Sequence, residues 1–192
     1  MTDSATHTVD GVERPAPGTW HVDAGHTDAA FIGRHLGLSK VRGRFTGVEG
    51  TVEIAEDITQ SRVEIWIDVA SVDSGAHDRD ASLRSENYFD VANHAEATFR
   101  STDIRADGSN GTITGDLTIK GVARPVTLDV EYLGHARDPW GNDRVAFSAA
   151  ATIKREDWGL ALPMAMDGDG ILVSKEIRLE IQTELIRSRA RG

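Results

Sequence analysis

The stretch Val173-Ser174-Lys175-Glu176-Ile177-Arg178-Leu179-Glu180-Ile181-Gln182-Thr183-Glu184-Leu185-Ile186 decides the fold class. With Ile171, the residues Val173, Ile177, Leu179, Ile181 and Leu185 share one parity, and Glu176, Arg178, Glu180, Gln182 and Glu184 share the other. A period of two means a strand with one face buried and one in water. The same period recurs in Val63, Ile65, Ile67 and Val69, in Val126, Leu128 and Val130, and in Val145, Phe147, Ala149, Ala151 and Ile153. Extending it along the chain predicts strands near residues 19–24, 40–54, 61–71, 95–105, 112–120, 125–135, 143–154 and 172–186, with 27–36 either strand or short helix.

Turn chemistry separates the strands. Asp107-Gly108 and Asn110-Gly111 form the strongest hairpin signal. Lys120-Gly121, Arg124-Pro125 and Asp138-Pro139-Trp140-Gly141-Asn142 break the later junctions. Most connections are too short for parallel crossovers, so the sheet is expected to be antiparallel. Residues 74–88 leave the period of two and have helical composition, with Asp80 and Arg84 at i, i+4. A short helix is expected there, after the third strand, covering one end of the sheet. About eight alternating strands have two edges to hide, and closure into a barrel hides both. Small inward residues such as Gly115, Ala149 and Ala151 suggest an internal cavity, and a filled sandwich is the rival architecture. Residues 1–18, rich in Thr, Pro and Gly, are expected to be a mobile N-terminal tail. The barrel would then span 19–187, and a C-terminal tail 188–192.

Composition excludes several classes of function. The chain has 192 residues, 39% of them hydrophobic, with a formal charge of −10. That charge disfavours nucleic acid and anionic membrane surfaces as partners. With no cysteine, disulfides, thiolate metal sites and cysteine nucleophiles are ruled out. No apolar run is long enough for a membrane-spanning helix. Residues 1–18 carry Asp3, Asp10 and Glu13 and no apolar centre, so they do not read as a signal peptide, and the expected location is cytoplasmic. Seven histidines (His7, His21, His26, His35, His77, His94 and His135) have no compact zinc spacing. Met166-Asp167-Gly168-Asp169-Gly170 fails as a calcium loop, because Ile171 and Arg178 stand where oxygen ligands are needed. No metal and no cofactor is expected.

Several strings, in order, resemble the YceI-like family of lipocalin-like, polyisoprenoid-binding proteins. They are Trp20-His21-Val22-Asp23-Ala24-Gly25-His26-Thr27, His35-Leu36-Gly37, Ser39-Lys40-Val41-Arg42-Gly43-Arg44-Phe45, Leu83-Arg84-Ser85-Glu86-Asn87-Tyr88-Phe89-Asp90-Val91, Leu117-Thr118-Ile119-Lys120-Gly121-Val122-Ala123-Arg124-Pro125-Val126, and Phe147-Ser148-Ala149 with Lys154-Arg155-Glu156-Asp157-Trp158-Gly159-Leu160. The resemblance spans about residues 19–186. His94-Ala95, where the family often has Tyr-Pro, and the loop at 164–170 depart from it at one rim of the barrel.

The resemblance implies an all-β, eight-stranded antiparallel lipocalin-like barrel around a polyisoprenoid, a quinone or a similar amphiphilic lipid. Its apolar tail would line up along Phe31, Phe45, Ile65, Ile67, Phe99, Leu117, Leu128, Phe147 and Leu179. His35, Arg42 and Arg84 are the expected donors to a headgroup. The expected function is non-catalytic binding, transport or storage, with a homodimer compatible with it. Two rivals stand beside it. One is an enzyme using His26, His35 or His94 as acid or base on a lipophilic substrate. The other is a lipid-free stress or interaction module that uses the outside of the barrel.

Overall fold

The computed structural model describes residues 5–9, 11–160 and 173–188. The loop at 164–170, with its calcium-like Asp-Gly string, lies outside the described residues, as do most of the C-terminal tail and the beginning of the N-terminal one. A hairpin of β1 (Thr6–Val9) and β2 (Val12–Pro15) comes first. The main sheet is built from β3 (Gly18–Val22), β4 (Asp28–His35), β5 (Ser39–Phe45), β6 (Val48–Ile54), β7 (Arg62–Asp68), β8 (Val72–Asp73), β9 (Glu96–Asp107), β10 (Asn110–Ile119), β11 (Val122–Arg137), β12 (Asp143–Lys154) and β13 (Glu176–Arg187). Helix α1 (His77–Arg84) lies between β8 and β9.

All pairings are antiparallel, and the sheet closes. β3 and β4 run end to end beside β13, β6 and β5 beside them, and β7 and β8 beside those. Each end-to-end couple is one bent stave. With β9, β10, β11, β12 and β13 they form an eight-stave barrel, sealed by the β12–β13 pairing. The bends have local causes. Asp23 and Asp68 accept hydrogen bonds from the N–H of Gly25 and Ala70, which tightens the chain into single 3₁₀ turns. Segment 27–36, open between strand and helix in the sequence, is strand over Asp28–His35.

The two barrel ends are closed differently. At one, α1 and the residues after it push Leu83, Tyr88 and Phe89 into a buried cluster with Phe99, Leu117, Ile153 and Trp158. Arg84 fixes the helix by donating from Nε to the Ala70 carbonyl at 2.8 Å and from Nη2 to the Val72 carbonyl at 2.5 Å. The expected Asp80–Arg84 pairing does not form, because Asp80 instead accepts from the Ser74 N–H at 2.9 Å and from its hydroxyl. At the other end, Ala5, Trp20, Ile54, Val145 and Leu185 form a second cluster. The N-terminal segment therefore does not match the tail reading over its described residues. Its hairpin packs there, with Glu13 3.0 Å from His135 Nδ1, and the fully buried Trp20 donates its indole N–H to the Ala16 carbonyl.

Two turn readings are refined. Lys120 and Gly121, at φ 51° and 74°, make a two-residue turn between paired Ile119 and Val122, as a hairpin with primed geometry requires. Pro125 does not end a strand; it lies inside β11, opposite Asp116. It is tolerated because β12 joins β11 only from Asp129 onward, so the second edge of β11 needs no donor there.

The reading of the inward Gly115 as empty space is corrected. A Cβ on Gly115 would come within 2.6 Å of the Phe99 ring, and one on Gly43 within 2.3 Å of the Phe31 ring. These glycines are recesses already filled by a facing aromatic ring.

Candidate functional site

The helix end of the barrel encloses a cavity of about 440 Å³. It sits in the range of small-ligand pockets, roughly 300–1,000 Å³. Inward positions of the staves make its wall: Phe31 on β4, Phe45 on β5, Ile67 on β7, Leu117 on β10, Ile153 on β12 and Leu179 on β13. Leu83, Tyr88 and Phe89 roof it, and Ala29, Ala30 and Ala97 supply small wall positions. The charged residues on its lining are Arg34, Asp78, Arg79 and Arg155, with His35 beside them on the β4–β5 hairpin.

Arg155 differs from the others in burial, with only 7% of its surface exposed. It opens the 3₁₀ turn Arg155–Trp158 after β12, and its guanidinium spans the gap between that turn and the residues just before β13. Nη1 donates to the Leu160 carbonyl at 2.5 Å, Nε to the Ser174 carbonyl at 3.1 Å and Nη2 to the Val173 carbonyl at 3.3 Å. It makes no ion pair among the described residues. Tyr88 is also almost wholly buried, and its ring packs edge-on against Phe89 at 4.8 Å. Burial raises the Tyr88 hydroxyl above the ordinary phenol range, and the positive charge of Arg155 opposes that rise.

Five of the nine expected tail-lining residues, Phe31, Phe45, Ile67, Leu117 and Leu179, come together on this cavity. Ile65, Phe99 and Leu128 are also inside the barrel, but pack in the cluster around it. Phe147 faces a separate cavity of about 110 Å³ at the hairpin end, with its ring 5.4 Å from that of Tyr132. Parity alone identifies the inner face and does not locate these positions along the barrel axis.

The expected headgroup donors separate. His35 reaches the rim. Arg42 does not, because Val41, Gly43 and Phe45 take the inward parity of β5 and turn Arg42 to the outer wall. There it pairs with Asp28 at 2.6 Å and Glu180 at 2.9 Å. Arg84 spends its donors on the carbonyls that anchor α1. Arg155 and Tyr88, which sequence reasoning passed over, are the buried side chains with polar groups on this lining among the described residues. Arg155 lies in a charged string, Lys154-Arg155-Glu156-Asp157, that reads as a solvated turn.

The histidines considered as acid or base do not converge. His26 pairs with Asp23 at 2.8 Å, and His94 stands 4.0 Å from Asp90; neither lines the cavity. Asp23, His26 and Glu184 bring three metal-capable atoms within 4.8 Å of one another. Arg144 already sits among these groups. Its Nη1 is 2.6 Å from Asp23 and 3.0 Å from Glu184, and its Nε is 3.0 Å from Asp138. Hydrogen bonds from Arg144, helped by His26 and the Gly25 N–H, hold the Asp23 carboxyl below its ordinary range despite partial burial.

Comparison with known proteins agrees with this architecture. The family model described as YceI-like domain matches residues 20–185. A UPF0312 protein of Pseudomonas paraeruginosa is 36% identical over 163 residues, covering 84% of this chain and 82% of its own. BcnA of Burkholderia cenocepacia superposes with a TM-score of 0.75 at 24% identity, over 85% of this chain and 98% of its own. A structure described as a polyisoprenoid binding domain from Saccharophagus degradans superposes with a TM-score of 0.63 at 16% identity, over 90% of this chain and all of its own. The matched residues run from the buried Trp20 of β3 to Leu185 of β13, round the whole barrel, and the chain belongs to the YceI-like family.

Proposed function

We propose that this protein binds and carries a polyisoprenoid or similar amphiphilic lipid, a prenylated quinone included, without chemical turnover. The observation that carries the reading is the apolar cavity of about 440 Å³ under α1. A protein of the same fold, the S. degradans barrel, is described as polyisoprenoid binding. Burial of apolar surface supplies the affinity. Each CH₂ taken from water contributes about 0.8 kcal/mol, so a tail of about fifteen carbons contributes roughly 12 kcal/mol. Association costs about 4–15 kcal/mol, so most of the tail must be inside before binding becomes tight. An enclosed apolar wall with a polar rim suits that demand. The positions of His26 and His94 outside the cavity support binding over acid–base catalysis.

The test is native mass spectrometry of the purified protein, with organic extraction of whatever it carries and titration with farnesol as a fluorescence-displacement probe. A co-purifying lipid mass, or saturable uptake of farnesol at one site, is expected. A protein that carries no lipid and takes up neither farnesol nor farnesyl monophosphate overturns the reading.

A further inference from the structure

The cavity reverses the charge balance of the chain. Acids outnumber bases 31 to 21 overall, yet the charged residues on the lining are three arginines, Arg34, Arg79 and Arg155, and one acid, Asp78. None of the three arginines makes an ion pair among the described residues. Arg42, Arg144 and Arg178, outside the cavity, all do.

Arg155 is the extreme case. A guanidinium stays charged in any protein environment and has five N–H donors in a planar fork. Three hydrogen bonds to backbone carbonyls account for its position, and at least two N–H groups have no protein acceptor among the described residues. A buried charge without a counter-ion is costly, and carbonyl dipoles repay only part of that cost. Tyr88 lines the same cavity, is 6% exposed, and feels the positive charge of Arg155 at its hydroxyl. A buried guanidinium with spare N–H donors, and a phenol hydroxyl on the same mostly apolar wall, call for an oxygen-rich group with negative charge.

We propose that Arg155 and Tyr88 form a headgroup site, and that the preferred ligand is an amphiphile with an anionic oxygen head, a carboxylate or a phosphate, on an apolar tail. The proposal rests on the lipid-binding reading and narrows its ligand class. The head lies at the buried guanidinium, and the tail runs along Phe31, Ile67, Leu117 and Leu179. Arg34 and Arg79 at the rim favour entry of an anion over a neutral lipid.

The experiment compares four probes on the wild-type protein: farnesyl monophosphate, palmitate, farnesol and inorganic phosphate. Farnesyl monophosphate and palmitate are each expected to bind about tenfold or more tighter than farnesol, the gain of one charge-assisted hydrogen bond. Inorganic phosphate at the same concentration is expected not to displace them, which separates a lipid head from a free anion. Tyr88→Phe keeps the ring and removes the hydroxyl. It is expected to weaken both anionic probes several-fold and farnesol by less, so that the preference for an anionic head shrinks. Arg155→Gln, checked by circular dichroism, is expected to abolish the preference for the anionic probes. If that variant does not fold, the wild-type ranking and Tyr88→Phe still decide. Farnesol binding as tightly as farnesyl monophosphate, or Tyr88→Phe weakening all three lipids equally, overturns the headgroup site while the lipid carrier stands. Failure of all three lipids to bind overturns both.

Discussion

The most informative residues are those whose neighbours leave no room for change. Gly43 is one: the tip and both flanking edge carbons of the Phe31 ring lie within 2.9 Å of where a Cβ would stand. Gly43→Ala is expected to cost about 1–3 kcal/mol in urea unfolding, as overpacked interiors do. It should also swing Phe31 into the cavity and weaken farnesol uptake. Shortening the ring in Gly43→Ala/Phe31→Leu should recover most of the stability, and full additivity of the two changes would show that the ring contact is not the cause. Asp138 is constrained electrostatically. Burial pushes its carboxyl up, but donors from the Asn142 side chain and N–H, from Arg144 and from the Trp140 N–H outweigh it and hold it at about 2. A carboxyl whose folded value lies below its unfolded one stabilises the fold above the unfolded value, near pH 4, and loses that contribution as pH falls toward about 2. The wild-type urea midpoint should therefore drop between pH 5 and pH 2.5 by more than that of Asp138→Asn. Equal slopes would mean that this carboxyl does not contribute to acid sensitivity.

Helix α1 is held in place more by its surroundings than by its own ends. Its N-cap, Ala76, has the extended backbone a cap needs (φ −142°, ψ 110°) but no side chain to accept from the first-turn N–H groups. Ala76→Ser is expected to raise stability by about 1 kcal/mol, read as a higher thermal midpoint with unchanged lipid uptake. The strands were legible because one face of each lies in water, so alternation survives in composition. The joints within them were not. The inward parity changes from odd at Phe45 to even at Val48, and from odd at Val69 to even at Val72, shifts short enough to pass for one strand, and the bends depend on contacts between staves, such as the Gly47 N–H donating to the Ser71 hydroxyl. The β1–β2 hairpin left almost no pattern, since its strands are four residues each and the segment is tied to the barrel by Ala5 beside Trp20 and by Glu13 reaching His135. For the site, parity identified the wall at Phe31, Phe45, Ile67, Leu117 and Leu179. It could not reveal Arg155, because a charged side chain in a turn reads as solvated until another segment, here Val173 and Ser174 just before β13, closes over it.

Across the whole molecule, the barrel divides into an end built for packing and an end built around space. The hairpin end buries Trp20 completely and keeps only about 110 Å³ open, while the helix end keeps about 440 Å³. If that division is functional, stability and binding can be changed separately. Deleting residues 1–15 removes β1 and β2 and uncovers the Trp20 cluster, an expected loss of about 1–3 kcal/mol, within the range of a lost packing element. The wall at the helix end is untouched, so farnesol affinity should stay within about twofold of wild type below the new melting temperature. Ala97→Phe does the reverse. Ala97 faces inward on β9 opposite Ile67, and both line the large cavity. A phenyl group there grows into ligand space, so uptake should fall at least about tenfold, a far larger effect than on the thermal midpoint. Farnesol uptake lost in the truncated protein, or retained in Ala97→Phe, would place the binding volume elsewhere than under the helix.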